Sequence, residues 1–156
     1  MNYKVVLCGD PQSGKTAYLR RLCSNTFVEG LPRSSLIDVR CVSCWTTRGV
    51  INFTIWNVAG DASDDVFKVC CRDADAILIF FSGGRLSSAL RWLKLVTAAR
   101  GELPVVFCAG RVDRGRTSLP VVVPISAKRG RKLTEPLLRL ARKLTGDVRL
   151  SFTPPQ

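Results

Sequence analysis

Residues Gly9-Asp10-Pro11-Gln12-Ser13-Gly14-Lys15-Thr16 match the pattern G-x-x-x-x-G-K-[ST] at every fixed position, and they restrict the fold more than any other stretch. Such a loop needs a strand before it and a helix after it. Both are legible. Tyr3–Cys8 is an apolar run that stops at Gly9, and Gly14–Ser24 carries Ala17, Leu19 and Leu22 among polar residues, as one face of a helix does. The chemistry explains the spacing. Glycines let backbone N–H groups converge on a phosphate, and the following helix adds the positive end of its dipole. Asp10, Pro11, Gln12, Ser13, Gly14, Lys15, Thr16 and Ala17 are therefore the candidate phosphate-binding residues. Lys15 is suited to the β- and γ-phosphate oxygens and the Thr16 hydroxyl to Mg²⁺.

The rest of the chain alternates. Leu36–Trp45 and Gly49–Trp56 read as a hairpin around Thr46-Thr-Arg-Gly49, and Ala76–Ser82 and Leu103–Ala109 as strands covered on both faces. Leu86–Arg100 and Leu133–Leu144 have helical spacing, and Val121–Ile125 supplies a further short strand. This order predicts an α/β fold: a mostly parallel sheet with one antiparallel edge and helices on both faces. The 156 residues suit one domain, given ~100–200 residues per domain; residues 1–150 are expected to form it and 151–156 a short tail.

A phosphate loop alone would also suit a small-molecule kinase or an ATPase. Ile55-Trp56-Asn57-Val58-Ala59-Gly60 resembles the D-T-A-G switch of Ras-like GTPases. Ala109-Gly110-Arg111-Val112-Asp113 resembles their N-K-x-D base-recognition motif, and Ser126-Ala127-Lys128 matches their S-A-K. Thr47-Arg48-Gly49 through Phe53, Ile55, Trp56, Ala59 and Gly60 is similar to the Ran family's N-R-G…F-N-V-W-D-T-A-G. Leu140-Ala-Arg-Lys-Leu-Thr-Gly-Asp147 is close to that family's L-A-R-K-L-I-G-D. The resemblance implies a P-loop NTPase fold of the small GTPase G-domain type, binding GTP or GDP with Mg²⁺ and hydrolysing GTP.

Carried over position by position, it implies that Ser34 joins Thr16 on the metal and that Gly60 donates its backbone N–H to the γ-phosphate. Asp113 would accept hydrogen bonds from guanine, Arg111 would stack on the base, and Ser126, Ala127 and Lys128 would flank it. Lys15, Gly60 and Asp61 form the candidate catalytic set. Four departures bear on binding and hydrolysis. Gly110 stands where the family has an asparagine that braces the base loop against the phosphate loop, which implies weaker guanine binding. Asn57 replaces the aspartate behind the metal, and Asp61 the glutamine that orients water. Pro11 and Gln12 occupy positions that relatives keep as glycine. Slow hydrolysis and a persistent GTP state are expected.

Two shortenings point the same way. Arg114 to Ile125 is too brief for the helix and strand that relatives place there, and the chain stops soon after Asp147, without the acidic tail that favours GDP. The implied partners are Ran-type effectors or regulators of nucleocytoplasmic transport. The alternative is a pseudo-GTPase that mimics or competes with Ran.

Composition adds bounds. Seven cysteines, an odd number, no histidine and no signal-like leader argue for reduced, mostly buried thiols over a zinc site. No run is long enough to span a membrane, and neither terminus carries a lipidation motif, so a soluble monomer of cytoplasm or nucleus is expected. Net charge is +12, concentrated late in the chain. No aromatic-interleaved basic platform accompanies it, so a solvated helix face is expected over a nucleic-acid partner.

Overall fold

The computed structural model describes residues 1–24, 36–82, 85–110, 122–130 and 132–155. Six strands, β1 (Asn2–Gly9), β2 (Ile37–Thr46), β3 (Gly49–Val58), β4 (Ala76–Ser82), β5 (Val105–Gly110) and β6 (Val122–Pro124), form one sheet in the order β2-β3-β1-β4-β5-β6. Only β2 runs antiparallel, paired with β3 from Ile37↔Val58 to Thr46↔Gly49; the other four pairings are parallel.

Among the described residues four helices cover it: α1 (Lys15–Ser24), α2 (Asp64–Cys71), α3 (Leu86–Arg100) and α4 (Glu135–Thr145). The period of two in each strand decides which layer a side chain joins. Val5, Leu7, Ala76, Leu78 and Phe80 pack with Tyr18, Leu19, Leu137 and Leu140 of α1 and α4. Val6, Cys8, Ile77, Ile79 and Phe81 pack with Phe67, Cys70, Ala89, Trp92 and Val96 of α2 and α3. Central strands buried on both faces have no room for alternating polar residues, so β1 and β4 read as continuous apolar runs.

The expected elements are present with shifts of one or two residues at their ends. One was not anticipated. α2 is only eight residues long, too short for a helical period to stand out. Its start is nonetheless written locally: the Ser63 hydroxyl accepts the Val66 N–H, and Asp64 and Asp65 lie in the first turn, where carboxylates favour the helix dipole. Between β5 and α4 the parallel strand β6 is present; residues 111–121, on which the expected shortening turns, lie outside the described residues. Ser151–Thr153 returns to the hairpin, where Thr153 donates to the Trp45 carbonyl at 2.8 Å and Thr47 to that of Ser151 at 3.0 Å.

Three of the late basic residues, Arg139, Arg142 and Lys143, are engaged within the fold, as is Arg48 of the hairpin. Arg48 pairs with Asp147 at 2.7 Å and Arg139 with Glu135 at 3.3 Å. Arg142 Nε donates to the Leu150 carbonyl and Lys143 Nζ to that of Val105. Their cations thus serve the C-terminal packing of α4. No helix among the described residues is long and apolar enough to cross a membrane. None of the seven cysteines is in a disulfide, and the described residues hold no group of three metal-ligating side chains.

Candidate functional site

β1 ends at Gly9 with φ +145°, and a methyl group there would overlap the Phe80 carbonyl of β4. Only glycine lets the chain leave the sheet at this point. The loop then passes Pro11, turns at Gln12 with φ +63°, and enters α1 after Gly14. A left-handed glutamine is uncommon and costs roughly 1 kcal/mol or more.

Lys15 folds back over the loop. Its Nζ donates to the carbonyls of Gly9 and Asp10 at 2.8 Å each and lies 3.4 Å from Ser13 Oγ. The side chain is 6% exposed, and burial lowers its pKa to about 8, against the opposing pull of Cys8, Asp10 and Asp61. Burial also keeps the Cys8 thiol far above its ordinary pKa, so Cys8 is neutral and the two carboxylates are the working counter-charges. A buried ammonium held by carbonyl oxygens at the mouth of a glycine-edged loop fits an anionic phosphate.

Asp10 does not offer its side chain to that phosphate. Its carboxylate accepts from Ser88 Oγ, from Arg91 Nη2 at 2.6 Å and from Trp92 Nε1 at 2.9 Å, all on α3. Burial opposes ionisation, but the Ser88, Trp92 and Arg91 contacts outweigh it and hold the pKa below the ordinary value. The Asp10 side chain clasps the loop to α3.

Two glycines press on the loop from either side. A methyl on Gly60, at the turn after β3, would overlap the Pro11 nitrogen and come within 2.6 Å of the Gly9 carbonyl oxygen. A methyl on Gly110, at the end of β5, would overlap the Ser13 carbonyl oxygen. Gly110 thus lets β5 abut the phosphate loop directly, where relatives interpose an asparagine.

Thr16, at the start of α1, and Asn57, on β3, meet across the loop. Asn57 Nδ2 donates to Thr16 Oγ1 at 3.4 Å, while the buried Asn57 Oδ1 has no hydrogen-bond partner among the described residues. A divalent cation at this point would meet a hydroxyl backed by a neutral amide rather than a carboxylate. Asp61 is exposed beside the same mouth and acts on Lys15 through space.

Ser126 is buried and its Oγ accepts the Arg129 N–H at 3.1 Å, fixing the turn in which Ala127 is half-buried and Lys128 exposed. Ile125 donates to the Ala109 carbonyl at 2.9 Å, which seats this turn beside the end of β5. Tyr18, unnoticed in the sequence, secures the following segment from α1: its buried hydroxyl donates to the Leu133 carbonyl at 2.8 Å. Ser34, Arg111 and Asp113 lie outside the described residues. Asp10, Ser13, Lys15, Thr16, Gly60 and Gly110 are therefore gathered at the C-terminal ends of β1, β3 and β5, where α/β sheets bind ligands.

A comparison with protein families matches residues 4–113 to the Roc domain, described as Ras of Complex, Roc, domain of DAPkinase. The chain belongs to this Ras-like GTPase family. The match runs from the first core strand through the whole phosphate loop and hairpin to Asp113, so the fold is that of a P-loop GTPase domain. A Ras-like GTP-binding domain carries guanine nucleotide and, with it, Mg²⁺ as the expected ligands.

Proposed function

We propose that the chain is a Ran-like guanine-nucleotide switch whose GTP-bound state is long-lived because hydrolysis is slow. In this reading it acts on Ran-type effector or regulator proteins of nucleocytoplasmic transport. The observation that carries the slow step is the neutral Asn57 behind Thr16. Bound Mg²⁺ neutralises charge across the β- and γ-phosphate oxygens; Thr16, with Ser34, would hold it, and an amide in place of a carboxylate weakens that hold. Asp61 adds to this, since a short carboxylate at the mouth repels the terminal phosphate and has no N–H with which to orient water. Lys15 and the backbone of Asp10–Gly14 would grip the phosphates. Asp113 would select guanine over adenine by accepting from N1 and the exocyclic amine, with Arg111, Ala127 and Lys128 about the base.

Asn57 Oδ1, without a partner among the described residues, also favours a second reading, a pseudo-GTPase that holds nucleotide with little help from metal and works by its shape. Two measurements separate them. Nucleotide released from the purified protein is identified by mass, for the wild type and for Lys15→Ala; GTP or GDP from the first and none from the second is expected. Single-turnover hydrolysis is then compared for the wild type and the Asn57→Asp, Asp61→Gln double variant, which should be faster. A wild-type rate rivalling an activated GTPase overturns the slow switch. An empty wild-type protein favours the interaction module.

A further inference from the structure

A carboxylate in a loop that grips phosphates is at odds with its ligand, yet Asp10 stands there. Its main chain belongs to the loop: the Asp10 carbonyl accepts from Lys15 Nζ at 2.8 Å and from the Ser13 N–H at 3.2 Å. Its charge reaches the same place, since Asp10 acts on Lys15 through space. An anion seated on Lys15 therefore lies within the field of this carboxylate, and like charges so close oppose binding.

The conflict is met on α3. Ser88, Arg91 and Trp92 stand at i, i+3 and i+4, one face of the helix, and all three turn to Asp10. Arg91 Nη2 and Trp92 Nε1 donate to its Oδ1 at 2.6 and 2.9 Å, and Ser88 Oγ donates to Oδ2. The three donors are not equivalent. Ser88 and Trp92 fix the carboxylate and leave its charge whole, whereas Arg91 brings a cation to it. The guanidinium is steadied in turn: its carbon lies 5.8 Å from the centre of the Trp92 ring, which meets Phe67 of α2 edge-on. Arg91 is 65% exposed, and an ion pair so open to solvent adds little to stability. What it does change is where the Asp10 carboxylate points and how much of its charge the loop feels.

We propose that Arg91 is a positioning residue for guanine nucleotide: by holding the Asp10 carboxylate on α3, it keeps that negative charge off the phosphates the loop grips. The role rests on nucleotide binding by the loop, and on no particular hydrolysis rate or partner.

Isothermal titration of the full chain with GDP and Mg²⁺ at low salt tests it, with urea unfolding of each variant as the check on folding. Arg91→Gln should weaken GDP binding roughly tenfold. In the Asp10→Asn background the same substitution should cost less than about twofold, because no carboxylate is left to restrain. Arg91→Lys, which keeps the cation and loses only the fork, should stay within about threefold of the wild type. A purely structural Arg91 would lower the urea midpoint and leave the affinity of the folded protein unchanged, which would overturn the proposal. So would a tenfold loss that persists undiminished in the Asp10→Asn background. A wild type that binds no GDP would sink nucleotide binding and this role together; an Arg91→Gln variant that binds as the wild type does would sink this role alone.

Discussion

Raising the pH from 7 to 8.5 should weaken GDP binding about fourfold, and Lys15 is the reason. In the free protein burial holds this ammonium's pKa at about 8, down from 10.5. A bound phosphate supplies the counter-charge that Asp10, engaged with Arg91, and Asp61 give only in part, so the pKa rises again on binding. The charged form is then the one that binds. With a free-state pKa of about 8, roughly nine-tenths of the protein carries that charge at pH 7 and roughly a quarter at pH 8.5, which gives the fourfold loss.

Binding must also take up about 0.8 proton per site at pH 8.5. Isothermal titration in two buffers of different ionisation enthalpy reads that number directly. The free protein's own stability moves the other way. Because the folded-state pKa lies below the unfolded value, the cost of burying the charge is fully present below pH 8 and fades between about 8 and 10.5. Zero proton uptake at pH 8.5, together with a flat affinity from pH 7, would refute the assignment of Lys15 as the buried phosphate cation.

Three further outcomes follow from the loop's surroundings. Asp10→Ala removes the acceptor of Ser88, Arg91 and Trp92 and strands the buried indole N–H, so urea unfolding should show a loss of about 1–3 kcal/mol; a change under 0.5 kcal/mol would mean that the clasp carries no energy. Gln12→Gly relieves a left-handed side chain and should raise the urea-derived stability by roughly 1 kcal/mol; a loss would show that the glutamine is held there by contacts worth more than the strain. Gly110→Asn, which restores the residue relatives use, should destabilise the protein by about 1–3 kcal/mol through overpacking against Ser13 and weaken nucleotide binding; tighter binding would show that the loop can withdraw and that direct abutment is not required.

The frame of the fold was legible because its signals are local. A continuous apolar run such as Ala76–Ser82 can be satisfied only by burial on both faces, and the glycine–lysine spacing of the loop fixes the strand before it and the helix after it. α2 escaped notice because eight residues give barely two turns of periodicity, although Ser63 and the two aspartates after it marked where it begins. At the site, the positions of Lys15, Thr16 and Gly60 were visible from their motifs. What Asp10 does was not. Its partners Ser88, Arg91 and Trp92 are about eighty residues away, and nothing in an octapeptide motif says which side chains point inward and which turn aside. Gly110 was readable only as a departure from a motif; that its place at the end of β5 leaves no room for a side chain beside Ser13 depends on the fold.

The antiparallel ladder does not stop where the hairpin strands end. Beyond them the Leu36 carbonyl accepts the Ala59 N–H at 2.9 Å, one residue before the glycine that leans on the phosphate loop. A pull on Gly60 is therefore felt at Leu36 almost without slack. A ligand that draws one of these segments toward itself pulls on the other through that bond, so movement at the mouth of the site is passed to the outer strand.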